Sequence, residues 1–137
     1  MYLDPTHEAV AAFLQRGLTG PVDMLNLLRF REVADYSDSP ELAPESPISG
    51  IEAYQRYMAH TTPFLVEAGG ALRLMGEGGQ LLIGPADERW DIALIVRHSN
   101  PKAFLDFASN EAYLAGLGHR TAALEDSRLL PLVTQKS

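Results

Sequence analysis

The stretch MLNLLRF, residues 24–30, decides how the rest of the chain is read. Its apolar run carries two polar intruders, Asn26 and Arg29. Side chains on a strand alternate between two faces, so Met24, Asn26, Leu28 and Phe30 share one face and Leu25, Leu27 and Arg29 the other. Both faces are apolar, and each carries one group that is costly to bury unpaired. A strand like this belongs in a sheet covered on both sides.

Working outward, residues 1–20 read as a helical extension. Asp4 suits the cap and Pro5 the first helical position, Ala9, Val10, Phe13 and Leu14 form a stripe, and Gly17 stops it. After the strand, EVADYSDSPELAPESPIS (32–49) holds three prolines. Proline lacks a ladder donor, so this segment reads as a surface loop placed to close as a lid. SGIEAYQRYMAHTTPFLVEAGG (49–70) is a helix with capping-box spacing at Ser49 and Glu52 and an apolar stripe through Ile51, Tyr54, Met58, Thr61, Leu65 and Ala68. Pro63 predicts a kink in it. ALRLMGEGGQLLIGP (71–85) is strand two, interrupted at its glycines. WDIALIVRHS (90–99) is strand three, and it too is apolar on both faces. Asn100 and Pro101 open a second helical region, continued by EAYLAGLGHRTAAL (111–124). EDSRLLPLV (125–133) is the last strand, placed by Pro131 at an edge or bulge.

After the first helix the order is β-α-β-β-α-β. Two right-handed crossovers in one sheet give a ferredoxin-like α+β fold with an antiparallel four-stranded sheet in the order 4-1-3-2 and helices on one face. The length of 137 residues fits one domain, 1–137. The second sheet face then needs a cover, and a second subunit packing sheet to sheet is the simplest one.

Composition narrows the function. There is no Cys, hence no disulfide, thiol nucleophile or cysteine metal site. A net charge of -7 argues against a nucleic-acid surface and against anionic membranes. No apolar run reaches the ~20 residues of a membrane span, and the start lacks a signal-peptide pattern, so a cytoplasmic location is the default expectation. The GEGG at 76–79 lacks the sequel of a phosphate loop, and neither a nucleophile elbow nor a dinucleotide fingerprint appears.

The segments MLNLLRF, EAYQRY, EAGGAL, LIGP, WDIALIV and AYLAGLGHRTAALEDSRLL, taken in order, resemble the uncharacterised bacterial domain-of-unknown-function family thirteen-thirty, within the dimeric α+β barrel superfamily. The resemblance runs from about Pro21 to Val133. It implies a dimer. Relatives in that superfamily include cofactor-free monooxygenases, lactone isomerases, dehydratases and haem-dependent chlorite-degrading enzymes, and the fold does not choose among them.

The topology makes its own prediction about a site. The end of strand one lies beside the starts of strands three and four, where the first main helix begins and the second ends. Arg29, Tyr54, Trp90, Asp91, His119, Arg120, Asp126 and Arg128 are therefore expected to gather at one edge of the sheet. One reading is an ion-pair network, Arg29 meeting Asp91 or Asp126. The other is a pocket in which arginines hold a carboxylate or enolate and His119 acts as acid or base. His119, after Gly118, also suits a helix end, where its charge meets the dipole. Asn26 bonds either neighbouring backbone or a ligand carbonyl. Four scattered histidines give no metal-binding spacing, and no residue stands out as a haem ligand, so no cofactor is expected. His7 and His60 read as surface or packing residues, and His98 falls at the far end of the sheet. The sequence thus points to a cofactor-independent enzyme of proton transfer, isomerisation or oxygenation on an oxygenated apolar metabolite, or to a non-catalytic dimeric ligand-binding module.

Overall fold

The computed structural model describes residues 1–134. β1 spans Val22–Phe30, and its side chains divide as the alternation requires. Val22, Met24, Leu28 and Phe30 are buried, while Leu25, Leu27 and Arg29 are half-buried on the opposite face. β1 pairs antiparallel with β3 (Arg89–His98) on one side and β4 (Leu124–Leu132) on the other. β2 (Ala71–Gln80) pairs with β3 at the outer edge. The order β2-β3-β1-β4 is the ferredoxin-like sheet expected from the sequence, read from its other edge.

The covered face packs on α2 (Gly50–Glu67) and α5 (Leu117–Ala123). Leu28, Phe30 and Leu94 meet Ala53, Tyr54, Ala122 and Ala123 in the main core. Ser49 caps α2 as its spacing predicts, taking the Glu52 N–H at 3.1 Å. The stripe holds at Tyr54, Thr61 and Leu65, which are buried, but Ile51 is exposed at the rim of a cleft. Pro63 lies inside α2, which runs on to Glu67.

Several elements differ from their sequence reading. α1 spans His7–Gln15 and is capped by Thr6 rather than Asp4, so Pro5 precedes the helix. No residue of α1 is buried. The second helical region is three helices: α3 (Pro101–Ala108), α4 (Glu111–Leu114) and α5. Asn110 ends the first by capping the second, accepting from the Ala112 and Tyr113 N–H groups. His119 therefore sits in the first turn of α5, not at the C-terminal helix end where its charge would meet the dipole favourably. β2 passes unbroken through Gly76, Gly78 and Gly79, and its bulge falls between Leu72 and Leu74. The hairpin joining β2 to β3 leaves Leu82 and Ile83 at 100% and 92% exposure.

Residues 32–49 do not close as a lid over the sheet end. They dock on the helices: Arg31 N–H donates to the Ala123 carbonyl (2.8 Å), Asp35 N–H to Ala122 (2.9 Å), and Tyr36 enters the core. Gly50 must lack a side chain, because a Cβ there collides with the Arg31 and Ala123 carbonyls. No helix among the described residues is long and apolar enough to cross a membrane.

His98 ends β3 almost fully buried between Phe104 and Phe107, with ring centroids 5.1 and 5.4 Å away and no partner for Nδ1. Burial lowers its pKa from 6.5 to about 4. The unfolded chain then takes up a proton first, so stability falls as pH drops from 6.5 towards 4. His98→Leu is expected to remove about 3 kcal/mol of that acid-dependent loss, measured as the difference from wild type in urea unfolding across the same pH range.

Candidate functional site

The residues expected at one sheet edge fall into three groups. The first lies on the open face. Asp126 is the centre: its carboxylate accepts from Arg29 Nη2 (3.3 Å), Arg128 Nη1 (2.8 Å), Ser127 N–H (2.9 Å) and Tyr2 N–H (2.8 Å). Arg29 Nε also lies 3.6 Å from Glu125. Trp90 is stacked by both guanidinium groups, Arg29 at 5.5 Å and Arg128 at 5.0 Å from its ring, and Arg128 lies 4.7 Å from the Tyr2 ring as well. Burial opposes ionisation of Asp126, but the hydrogen bonds from Tyr2, Arg128 and Ser127 and the Arg128 charge hold its carboxyl below the usual range. The expected ion-pair network therefore exists around Asp126, not Asp91.

The second group is on the helix side. His119 Nδ1 is 2.8 Å from the Tyr36 hydroxyl, and the rings meet edge to face at 5.6 Å. Burial first, then the charges of Arg56 and His60, lower the His119 pKa and so favour the neutral ring. Arg29 and His119 have no partner in common. Arg120 donates to the Leu3 carbonyl at 2.7 Å and to Ser127 Oγ at 3.4 Å. Tyr54 is buried against Phe30 and Tyr57, with centroids 5.4 and 5.2 Å away, and burial raises its hydroxyl pKa. Asn26 bonds the Met24 carbonyl at 3.1 Å, the backbone alternative of its two readings.

The third group shapes a cleft of about 330 Å³ between α2 and the β2–β3 edge. β3 leaves β1 after the Leu28–Ile92 pair. Asp91 spans the gap, accepting the Phe30 N–H at 2.8 Å and Arg89 Nε at 3.3 Å. The cleft walls are Phe30, Ile51, Met58, Met75 and Ile92. Its polar groups are Tyr54, Gln55, Glu77 and Asp91, with no lysine or arginine among the lining residues. Such a site favours an apolar molecule that brings its own hydrogen-bond donor. A hollow of about 390 Å³ near Gly17–Pro21 contains Arg97, but both Arg97 Nε and Nη2 are already 2.9 Å from Asp23. Among the described residues, no three His, Asp or Glu side chains are grouped to hold a metal.

Among the contributors that escaped the sequence reading are Ser127, Gln55, Tyr2, Tyr36, Met75 and Glu77. Strand alternation flags the last two, since Met75 and Glu77 pair with Leu94 and Ile92 on the covered face. Nothing local flags Tyr2, which meets Asp126 across 124 positions.

Asp126→Ala leaves two arginines and two backbone amides without their shared acceptor. It is expected to lower stability by about 2–3 kcal/mol and to shift Trp90 emission. Asp126→Asn keeps an acceptor and costs less. Urea unfolding followed by fluorescence reads both effects.

No protein-family model matches the chain, and no curated protein matches it. Among solved structures, the RPA0582 protein of unknown function from Rhodopseudomonas palustris is 36% identical, with a TM-score of 0.85 over 99% of this chain and 98% of that one. Two dimeric ferredoxin-like proteins of unknown function share the fold alone. The one from Jannaschia sp. CCS1 is 14% identical, with a TM-score of 0.54 over 84% of this chain and 100% of its own. The one from Thermobifida fusca is 13% identical, with a TM-score of 0.50 over 84% and 92%. The resemblance to family thirteen-thirty thus stands at a coarser level, that of ferredoxin-like proteins of unknown function. By its full-length match at 36% identity, the chain belongs to the family of the R. palustris RPA0582 protein.

Proposed function

We propose that the chain is a homodimeric small-molecule-binding protein, with one ligand in the α2–sheet cleft of each subunit. The observation that carries this reading is the cleft itself: apolar walls, a tyrosine hydroxyl, and the two carboxylates Glu77 and Asp91. An oxygenated apolar metabolite fits, its hydroxyl donating to a carboxylate while its hydrocarbon part lies on Met58, Met75 and Phe30.

The dimer reading is supported by the open face of the sheet. Leu25, Leu27, Ala93 and Ile95 lie half-buried there, with Leu74 and Leu130 more than half exposed. Each large aliphatic side chain covered by a partner contributes on the order of 1–2 kcal/mol. We assign Arg29, Trp90, Asp126 and Arg128 to the rim of that interface rather than to the ligand in the cleft, whose lining includes none of them.

A second reading is enzymatic: cofactor-independent proton transfer, isomerisation or oxygenation. The Tyr36–His119 pair favours it, since a neutral imidazole held by a phenol is equipped to accept a proton.

Native mass spectrometry of the untagged protein tests the binding reading. The expected species is a dimer carrying small-molecule mass. Met58→Trp fills the cleft and is expected to remove that mass while leaving the dimer intact. Leu27→Arg is expected to give monomers. A wild-type monomer, or bound mass that survives Met58→Trp, sinks the corresponding part. If the enzymatic reading holds, His119→Ala is expected to abolish turnover of a compound that reaches the Tyr36–His119 pair and to leave the cleft-bound mass unchanged, since neither residue lines the cleft.

A further inference from the structure

The polar cluster around Asp126 already holds something: the chain's own first residues. The Tyr2 N–H donates to Asp126 Oδ1, Ser127 Oγ donates to the Tyr2 carbonyl, and Arg120 Nη1 donates to the Leu3 carbonyl. The Leu3 side chain packs on the main core, and the Tyr2 ring lies on the Arg128 guanidinium. Every backbone group engaged here is one that any extended peptide possesses. The two side chains add a choice of aromatic, then aliphatic.

The slot is buried and its occupant is largely exposed. Asp126 and Ser127 are 6% and 5% exposed and stand on β4. Met1 and Tyr2 are 73% and 67% exposed, and residues 4–9 are exposed throughout. α1 buries nothing. Beyond the slot, the arm touches the fold at an edge-to-face pair of Phe13 with Phe104 (6.1 Å) and an exposed Arg16–Pro131 hydrogen bond (3.0 Å). Three of the residues that read as a ligand site in the sequence, Arg120, Asp126 and Arg128, thus hold a segment of the chain itself.

We propose that Arg120, Asp126, Ser127 and Arg128 form a binding slot for an extended peptide segment bearing an aromatic–aliphatic pair, and that Tyr2–Leu3 is its resident, displaceable occupant. The slot is at the β4 edge and the cleft at the β2 edge, so neither site depends on the other. A tethered occupant competes at an effective concentration of about millimolar. Free peptide at micromolar concentration therefore meets a closed slot in the wild type. Weakening the resident opens it.

The probe is the peptide acetyl-Met-Tyr-Leu-Asp-amide, and the readout is emission from Trp90, the only tryptophan in the chain and a stacking partner of Arg128. Two full-length variants are compared with wild type: Tyr2→Ala/Leu3→Ala, and Tyr2→Ala alone, which keeps Leu3 in the core should the double variant not fold. Circular dichroism confirms folding. The expected result is peptide binding at least tenfold tighter to a folded variant than to wild type. A peptide N-methylated at the tyrosine amide, which cannot donate to Asp126, is expected to lose that gain. Binding no tighter than wild type in the folded variants, or equal binding of the N-methylated peptide, overturns the proposal.

Discussion

Three hydrogen bonds at the end of β1 hold the remaining elements in register. The Phe30 N–H goes to the Asp91 carboxylate, the Arg31 N–H to the Ala123 carbonyl, and the Arg31 carbonyl accepts from Gly50 N–H at 3.1 Å. One short stretch of backbone thereby fixes the start of β3, the end of α5 and the first residue of α2. It explains why Gly50 tolerates no side chain and why the proline-rich loop, leaving from Arg31, lies on the helices instead of swinging over the sheet. The cleft inherits its shape from this junction. Phe30 and Asp91 are two of its walls, and the Asp91 carboxylate is present there because it serves as a backbone acceptor.

The parts of the fold that were legible in the sequence are those with a short period or a fixed rule. The two faces of MLNLLRF follow from alternation, the sheet order from crossover handedness, and the Ser49 and Asn100 caps from residue chemistry. Arg29 meeting Asp126 was also within reach, since both sit opposite each other in the β1–β4 ladder. The site was read less well. Topology says which end of a sheet a residue occupies, but not which side it takes once the ladder stops. Trp90 and Asp91 lie past the last β1–β3 pair, and there they part: Trp90 to the arginines of the open face, Asp91 to the cleft. His119 stayed apart from both because α5 is a separate short helix set off by Gly116, against which the His60 ring packs.

Charge is distributed with the same economy. The chain carries seven more acidic than basic residues, yet the arginines with buried partners are spent on structure: Arg97 on Asp23, Arg29 and Arg128 on Asp126, Arg120 on a backbone carbonyl. The cleft is left with carboxylates and no lining cation. A sequence rich in candidate cationic ligand-binding residues thus folds with a cleft of the opposite polarity, because burial of carboxylates in the sheet draws the guanidinium groups to itself.

The meeting of Tyr2 with Asp126 also sets an order of events during synthesis. The two residues are 124 positions apart. At a translation rate of about 5–20 residues per second, the first residues leave the ribosome on the order of ten seconds before their slot exists. β1 waits nearly as long for β4, with one full edge open. The nascent chain is therefore most exposed to chaperones and to mispairing in that interval, and the late emergence of residues 120–130 completes the slot and covers the β1 edge in one step.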